Sequence, residues 1–233
     1  TCTGVSFAHG SNDGQKGMGL IMLILIGILP GIYALDLAVD PATFSKLSEA
    51  SKAAIVTLDK RSTPGVSLQG KDIDTQLSSF LKSGNADAKT FTALAAKNHA
   101  ISDKLTGKKS FRDVSKADRR TLRSDIYLLG KAIDKLNKKG TFTDATEQKT
   151  LVSYTKQLGS VTEFIPTWVK VVVALALGLG TMIGWKRIVV TVGEKIGKDH
   201  LTYAQGASAE IVAMTTIAAA DHFGLPDSTT HVL

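Results

Sequence analysis

From Gly17 to Leu35 the chain runs for 19 residues without a charged side chain, GMGLIMLILIGILPGIYAL. A helix crossing a hydrocarbon core of about 30 Å needs about 20 consecutive apolar residues, so this run is long enough to enter a bilayer. A core helix of a water-soluble protein shows a polar face at the helical period, and this run has none. Membrane insertion is therefore the expectation. Pro30-Gly31 falls inside the run. Proline lacks a backbone N–H and clashes with the preceding turn, so the helix is expected to kink or end there.

Two further apolar stretches lie near the other end. Ile165–Trp185 carries one charge, Lys170, close to its start, where the ammonium can snorkel outward. Trp168 and Trp185 bracket this stretch 17 residues apart. At a rise of about 1.5 Å per residue that is about 25 Å, a separation suited to the two aromatic belts of a membrane. Ala176, Gly180 and Gly184 recur every fourth residue, the pattern of a close helix–helix contact in lipid. Leu201–Ala220 is the third stretch, with Glu210 its one charge. Lys186, Arg187, Lys195 and Lys198 make the connection between the second and third stretches polar, so a surface position is expected for it.

The middle of the chain has a different composition. Pro41–Ser160 hold 22 of the 28 Lys+Arg and 12 of the 21 Asp+Glu, a local net charge of +10. Leu122, Ile126, Leu129, Ile133 and Leu136 form one helical stripe that stops at Lys138-Lys139-Gly140. Phe91, Leu94, Ile101 and Leu105 form another, ended by Gly107, with Asn98 where an apolar residue is wanted. Asp144–Leu158 reads as a third helix, while Ser62-Thr63-Pro64-Gly65 and Ser83-Gly84-Asn85 have turn chemistry. The expected fold is all-α: a multi-pass transmembrane fragment with broken or re-entrant helices and a soluble helical insert. Its blocks are residues 1–40, the insert 41–160, and residues 161–233.

Several classes of chemistry are disfavoured. The one cysteine, Cys2, rules out a disulfide framework, and the five histidines contain no H-x-x-x-H pair, so no metal site is expected. No cofactor motif is present either, since G-x-x-x-x-G-K-[ST] is not satisfied. The basic charge of the insert is interleaved with acids and lacks aromatics for stacking, so a solvated helical surface is expected rather than nucleic-acid binding. The chain opens on Thr-Cys-Thr-Gly, without the charged start of a signal peptide, and closes on Thr-His-Val-Leu. Both ends read as cut from a longer protein.

Three features carry candidate chemistry. Phe7–Gly17 (FAHGSNDGQKG) places amides and the Asp13 carboxylate among glycines beside the first apolar run. At membrane depth that composition suggests a helix break of the kind that forms transporter sites. Gly224–His231 (GLPDSTTH) places three hydroxyl residues at a helix start, where side chains and unpaired amides together suit an anion; a plain helix cap is the simpler reading. Glu210 sits mid-stretch, where an unpaired carboxylate is costly, so it is a candidate proton carrier.

These residues also carry a resemblance. F-A-H-G-S-N-D, G-L-P-x-S-T-T-H, and the intervening G-W-K-R-I-V-V-T-V-G-E-K-I followed by S-A-E resemble the signatures of the PiT family of inorganic phosphate transporters, most of all its bacterial low-affinity members. The likeness is read over about Thr1–Leu35 and Ile165–Leu233, the second of the family's two repeats, and not over the insert. It implies a carrier rather than an enzyme, located in the bacterial cell membrane. By position, Asn12, Asp13, Ser228, Thr229 and Thr230 match the family's phosphate-binding residues and Glu210 its buried glutamate. The sodium-coupled members hold a neutral Asn three residues beyond the Asp, where this chain has Lys16. The expectation is therefore a proton-coupled symporter of phosphate, free or as a metal–phosphate complex, working in the bilayer with the remaining half of the protein. The rival reading is a membrane-anchored scaffold acting through its basic insert.

Overall fold

A computed structural model describes residues 2–63, 65–66, 68–191 and 202–223. Among these the fold is all-helical: α1 (Cys2–Ile28), α2 (Pro30–Tyr33), α3 (Pro41–Asp59), α4 (Lys71–Ser83), α5 (Ala88–Leu105), α6 (Lys116–Lys138), α7 (Ala145–Thr162), α8 (Thr167–Val190) and α9 (Tyr203–Phe223), with one 3-10 turn at Phe111–Asp113. The chain divides into two compact units, one of Thr1–Ile24 and Ile165–Leu233, the other of Leu25–Phe164.

In the second unit the helix starts are written locally. Asp40 accepts hydrogen bonds from the hydroxyl (2.6 Å) and amide (2.9 Å) of Thr43, which hold its carboxyl below the usual range. Asp87 and Thr90 form a capping box at α5, and Ser115 and Asp144 cap α6 and α7. Gly84 and Gly140 end α4 and the α6 segment with φ of 77° and 68°, a region open to glycine without a Cβ penalty. The stripe from Leu122 to Leu136 is buried as expected, as are Leu94, Ile101 and Leu105.

Asn98, the polar intruder on that second stripe, is fully buried and satisfied. Its amide donates to Ser51 O (3.0 Å), and its oxygen accepts from Ser51 Oγ (3.2 Å) and from the Tyr154 hydroxyl (2.6 Å). One side chain thereby joins α3, α5 and α7. Burial raises the Tyr154 phenol above its ordinary pKa, so it remains a donor. An ionic cluster centred on the buried Lys97 and Asp125 ties α4, α5 and α6: Lys97 pairs with the exposed Asp74 and with Asp125, which also takes Lys104, the last two at 2.9 Å. Burial lowers the Lys97 pKa, but the bonds from its ammonium to Asp74 and Asp125 outweigh that and leave it raised.

This unit also recruits chain ahead of residue 41. Leu35 is fully buried in its core. Arg119 donates to Gly31 O (2.6 Å), Arg112 to Leu37 O (3.1 Å), and Asp36 N to Val161 O (3.1 Å).

In the other unit, the segment expected to be broken is continuous helix. Phe7–Gly17 lies wholly within α1, because its glycines accept helical φ and no proline interrupts it. The break falls instead at Leu29 (φ −125°, ψ 57°), immediately before Pro30. The Gly17–Leu35 run is thus divided: Gly17–Ile28 closes the 27-residue α1, and Pro30–Tyr33 forms α2. One helix among the described residues is long and apolar enough to cross a membrane, Thr167–Arg187 in α8. It displays Trp168, Val171, Leu175, Leu179, Met182 and Trp185 on its exposed surface. A Cβ added at Gly180 or Gly184 of the small-residue stripe would meet nothing within 4 Å among the described residues. Lys195 and Lys198 lie outside them.

Two outcomes test this description. The isolated segment Pro30–Phe164 is expected to melt cooperatively by circular dichroism. Asn98→Ala, which leaves the Ser51 and Tyr154 groups unpartnered, is expected to cost it about 2–4 kcal/mol; an unchanged midpoint contradicts the joining role. In liposomes, Trp168 and Trp185 are expected to be quenched more by lipids brominated near the headgroup than by lipids brominated at the chain ends. The reverse order contradicts a spanning α8.

Candidate functional site

Helical periodicity gathers polar residues on one side of α1. Cys2, His9, Asn12, Asp13 and Lys16 are spaced by seven, three or four, one and three residues, so they share a face. Asn12 is 5% exposed. Asp13 is one-third exposed and stands between two bases: His9 Nε2 is 3.0 Å from its Oδ2 and Lys16 Nζ is 3.9 Å from its Oδ1. A carboxylate flanked in this way presents a partly neutralised, polar patch rather than a bare negative charge.

Glycines of α1 bring its backbone close to neighbouring helices. A Cβ at Gly14 would touch Leu177 Cδ1 at 3.9 Å, and one at Gly17 would press Val173 Cγ1 at 3.4 Å. Position rises along α1 as it falls along α8, so the two helices are antiparallel. Gly4 fills the same role toward α9, where a Cβ would collide with Met214 Sδ.

Glu210, on α9, is half-buried at the start of the α1 polar face. The Cys2 thiol donates to its Oε1 and Oε2 at 3.2 and 3.4 Å. The structure therefore brings Asn12, Asp13 and Lys16 together and places Glu210 beside Cys2, at the far end of the same face. About 14 residues, or about 21 Å, separate Cys2 from Lys16. Ser228, Thr229 and Thr230 lie outside the described residues. Cys2 is the contact that the sequence reading missed; its seven-residue spacing from His9 is the signal that marks it. Among the described residues no group of three or more His, Cys, Asp or Glu is placed to hold a metal ion.

The helical unit has a cleft of its own, about 410 Å³, between α6 and α7. Lys131 and Glu163 pair within it at 3.7 Å, and its other charged rims are Asp134 and Lys156. Its charged side chains, two of each sign, balance.

Comparison with known proteins matches residues 1–233 to a family described as the phosphate transporter family. The chain is 35% identical over 235 residues to the low-affinity inorganic phosphate transporter PitA of Escherichia coli K12, covering 99% of this chain and 46% of that protein. It is 38% identical over 236 residues to a low-affinity inorganic phosphate transporter of Buchnera aphidicola subsp. Acyrthosiphon pisum, with 99% and 45% covered. A probable low-affinity inorganic phosphate transporter of Bacillus subtilis shares 42% identity over 84 residues, 36% of this chain and 25% of that one. No solved structure matches. The chain thus spans about half the length of the first two relatives. The likeness also runs through the insert, which corrects the expectation that it stops at the membrane blocks. An amphipathic surface helix tolerates substitution wherever its apolar stripe is kept, so the insert carries few short motifs by which to recognise it.

Proposed function

The chain belongs to the phosphate transporter family, and from that premise we propose that it forms part of a multi-pass carrier moving inorganic phosphate with a proton across a bacterial cell membrane. The observation that carries this reading is the α1 face on which Asp13 lies between His9 and Lys16, with Asn12 beside it. An anion approaching such a face meets cationic and amide donors around a shielded carboxylate. Ser228, Thr229 and Thr230, from the other signature, are the proposed hydroxyl donors to the same anion. A metal–phosphate complex presents the same oxygens and fits the same reading. The remaining half of the protein and the bilayer complete the carrier.

Lys16 favours a proton over sodium as the coupling ion. Its ammonium offers donors and no acceptor oxygen, and its fixed charge repels a second cation near Asp13. Glu210 is then the group proposed to carry the proton. Its carboxylate already accepts the Cys2 thiol, so a polar partner holds it in place on α9.

Two variants of the complete protein test these roles by radiolabelled phosphate uptake. The triple variant Ser228→Ala, Thr229→Ala, Thr230→Ala is expected to raise KM about tenfold or more with membrane insertion intact, since each lost bond to a charged group is worth about 1.5–3 kcal/mol. Wild-type affinity in it overturns the binding role. Glu210→Gln is expected to lose net accumulation while retaining phosphate exchange; normal proton-driven accumulation removes Glu210 from the coupling step.

A further inference from the structure

Half of the net positive charge of residues 41–160 is concentrated in one short stretch. Lys108–Arg123 carry seven Lys and Arg against two Asp, a net of +5 out of +10 for the whole segment. This stretch links α5 to the first turns of α6, so its cations collect at one end of the helical unit. Lys108, Lys109, Arg112, Lys116 and Arg120 are exposed. None of the seven is ion-paired among the described residues; in this unit the paired Lys and Arg are Arg61, Lys97, Lys104, Lys131 and Lys138. The acids at this end are engaged in loop and cap bonds. Asp36 accepts from Ala38 N at 2.9 Å, Asp113 from the amides of Lys109 and Ser110 at 2.9 and 3.0 Å, and Asp118 from the Ser115 hydroxyl.

Arginines of the same end hold the two places where the chain enters and leaves the unit. Arg119 donates to Gly31 O at 2.6 Å, Arg112 to Leu37 O at 3.1 Å and Arg123 to Thr162 O at 3.3 Å. A carbonyl accepts these bonds without cancelling the guanidinium charge. Gly31 lies so close to α6 that a Cβ there would press Lys116 Cβ at 3.3 Å. Its neighbours Ile28, Leu29 and Ile32 are exposed. Exposed aliphatic side chains therefore stand beside unpaired cations. Gly31 is three residues past the end of α1, and Thr162 is five residues ahead of α8, the helix long and apolar enough to cross a membrane. A single-stranded nucleic acid would call for aromatic stacking platforms. Aliphatic groups that enter the acyl boundary, with Lys and Arg reaching headgroup phosphates, suit a lipid surface instead. We infer that this end of the helical unit is a docking surface for anionic phospholipid headgroups. The inference rests on the bilayer part of the reading above and not on phosphate as the cargo.

The test uses the complete protein in detergent, titrated with phosphatidylglycerol or with phosphatidylcholine of the same acyl chains, bound lipid being resolved by native mass spectrometry. Wild type is expected to bind phosphatidylglycerol about tenfold or more tightly than phosphatidylcholine. The triple variant Lys109→Gln, Lys116→Gln, Arg120→Gln is expected to lose most of that preference, since each cation near an anionic surface is worth about fivefold in affinity. The control variant Lys82→Gln, Lys138→Gln, Lys149→Gln removes the same charge from the other end of α6, where Lys135 donates to Leu81 O at 2.6 Å; that 23-residue helix sets the two ends about 33 Å apart. The control is expected to keep the preference. An unchanged preference in the first variant, or an equal loss in both, overturns the proposal. So does full displacement of the lipid by inorganic phosphate at matched ionic strength, or a first variant that loses affinity for a single-stranded RNA oligonucleotide and not for phosphatidylglycerol. Should the first variant not fold, salt decides: a wild-type preference that does not fall between about 50 and about 500 mM salt overturns it. Radiolabelled phosphate uptake by the same proteins reports separately on the phosphate reading, which survives any of these failures.

Discussion

Proline at position 30 has no backbone N–H to give, and its ring occupies the space of the carbonyl four residues earlier. The helix that begins at Cys2 therefore ends at Ile28, with Leu29 out of helical conformation. The consequences run through the chain. A 19-residue uncharged run that lipid alone would keep as one helix is divided. Its first part stays on α1; its last part joins the second unit, so that Leu35 is buried in that unit's core and the carbonyl of Gly31 accepts from Arg119. Pro30 itself opens α2, where a missing N–H costs nothing. One residue sets where apolar helix stops and globular packing starts.

The helical unit shows what such packing requires of polar groups. Asn98 and Lys97 are adjacent in α5, and both are buried. Each is acceptable because its hydrogen-bonding capacity is met by partners from other helices: Ser51 and Tyr154 for the amide, Asp74 and Asp125 for the ammonium. An unsatisfied group in either place costs about 1–3 kcal/mol, more for the charge, which makes these contacts specific as well as cohesive. The α1 face works by a different balance. Asp13 is partly exposed, with His9 and Lys16 close to it but not enclosing it.

Legibility followed the range of the interactions. The stripe from Leu122 to Leu136, the start of a helix near Asp144 and the stop at Gly140 are local features, and sequence reading found them. So did the interruption at Pro30. Asn98 was visible as an anomaly, but its resolution depends on Ser51 and Tyr154, dozens of residues away. The burial of Lys97 and Arg119 left no local trace for the same reason. The glycines and amides of Phe7–Gly17 misled in the other direction: weak helix formers suggest a break, yet α1 runs through them, and Gly14 and Gly17 come close to Leu177 and Val173. Asn12, Asp13 and Lys16 were legible as site candidates from a motif, while Cys2 beside Glu210 emerged only from the packing.

In the proposed reading the chain contributes to a phosphate carrier coupled to protons, and the fixed cation of Lys16 beside Asp13 disfavours a second cation there. The most direct measurement is the initial rate of radiolabelled phosphate uptake by the complete protein in energised membrane vesicles, with and without sodium and with and without a protonophore. The account predicts uptake that is indifferent to sodium and collapses when the protonophore is added. Uptake that requires sodium and survives the protonophore would contradict it.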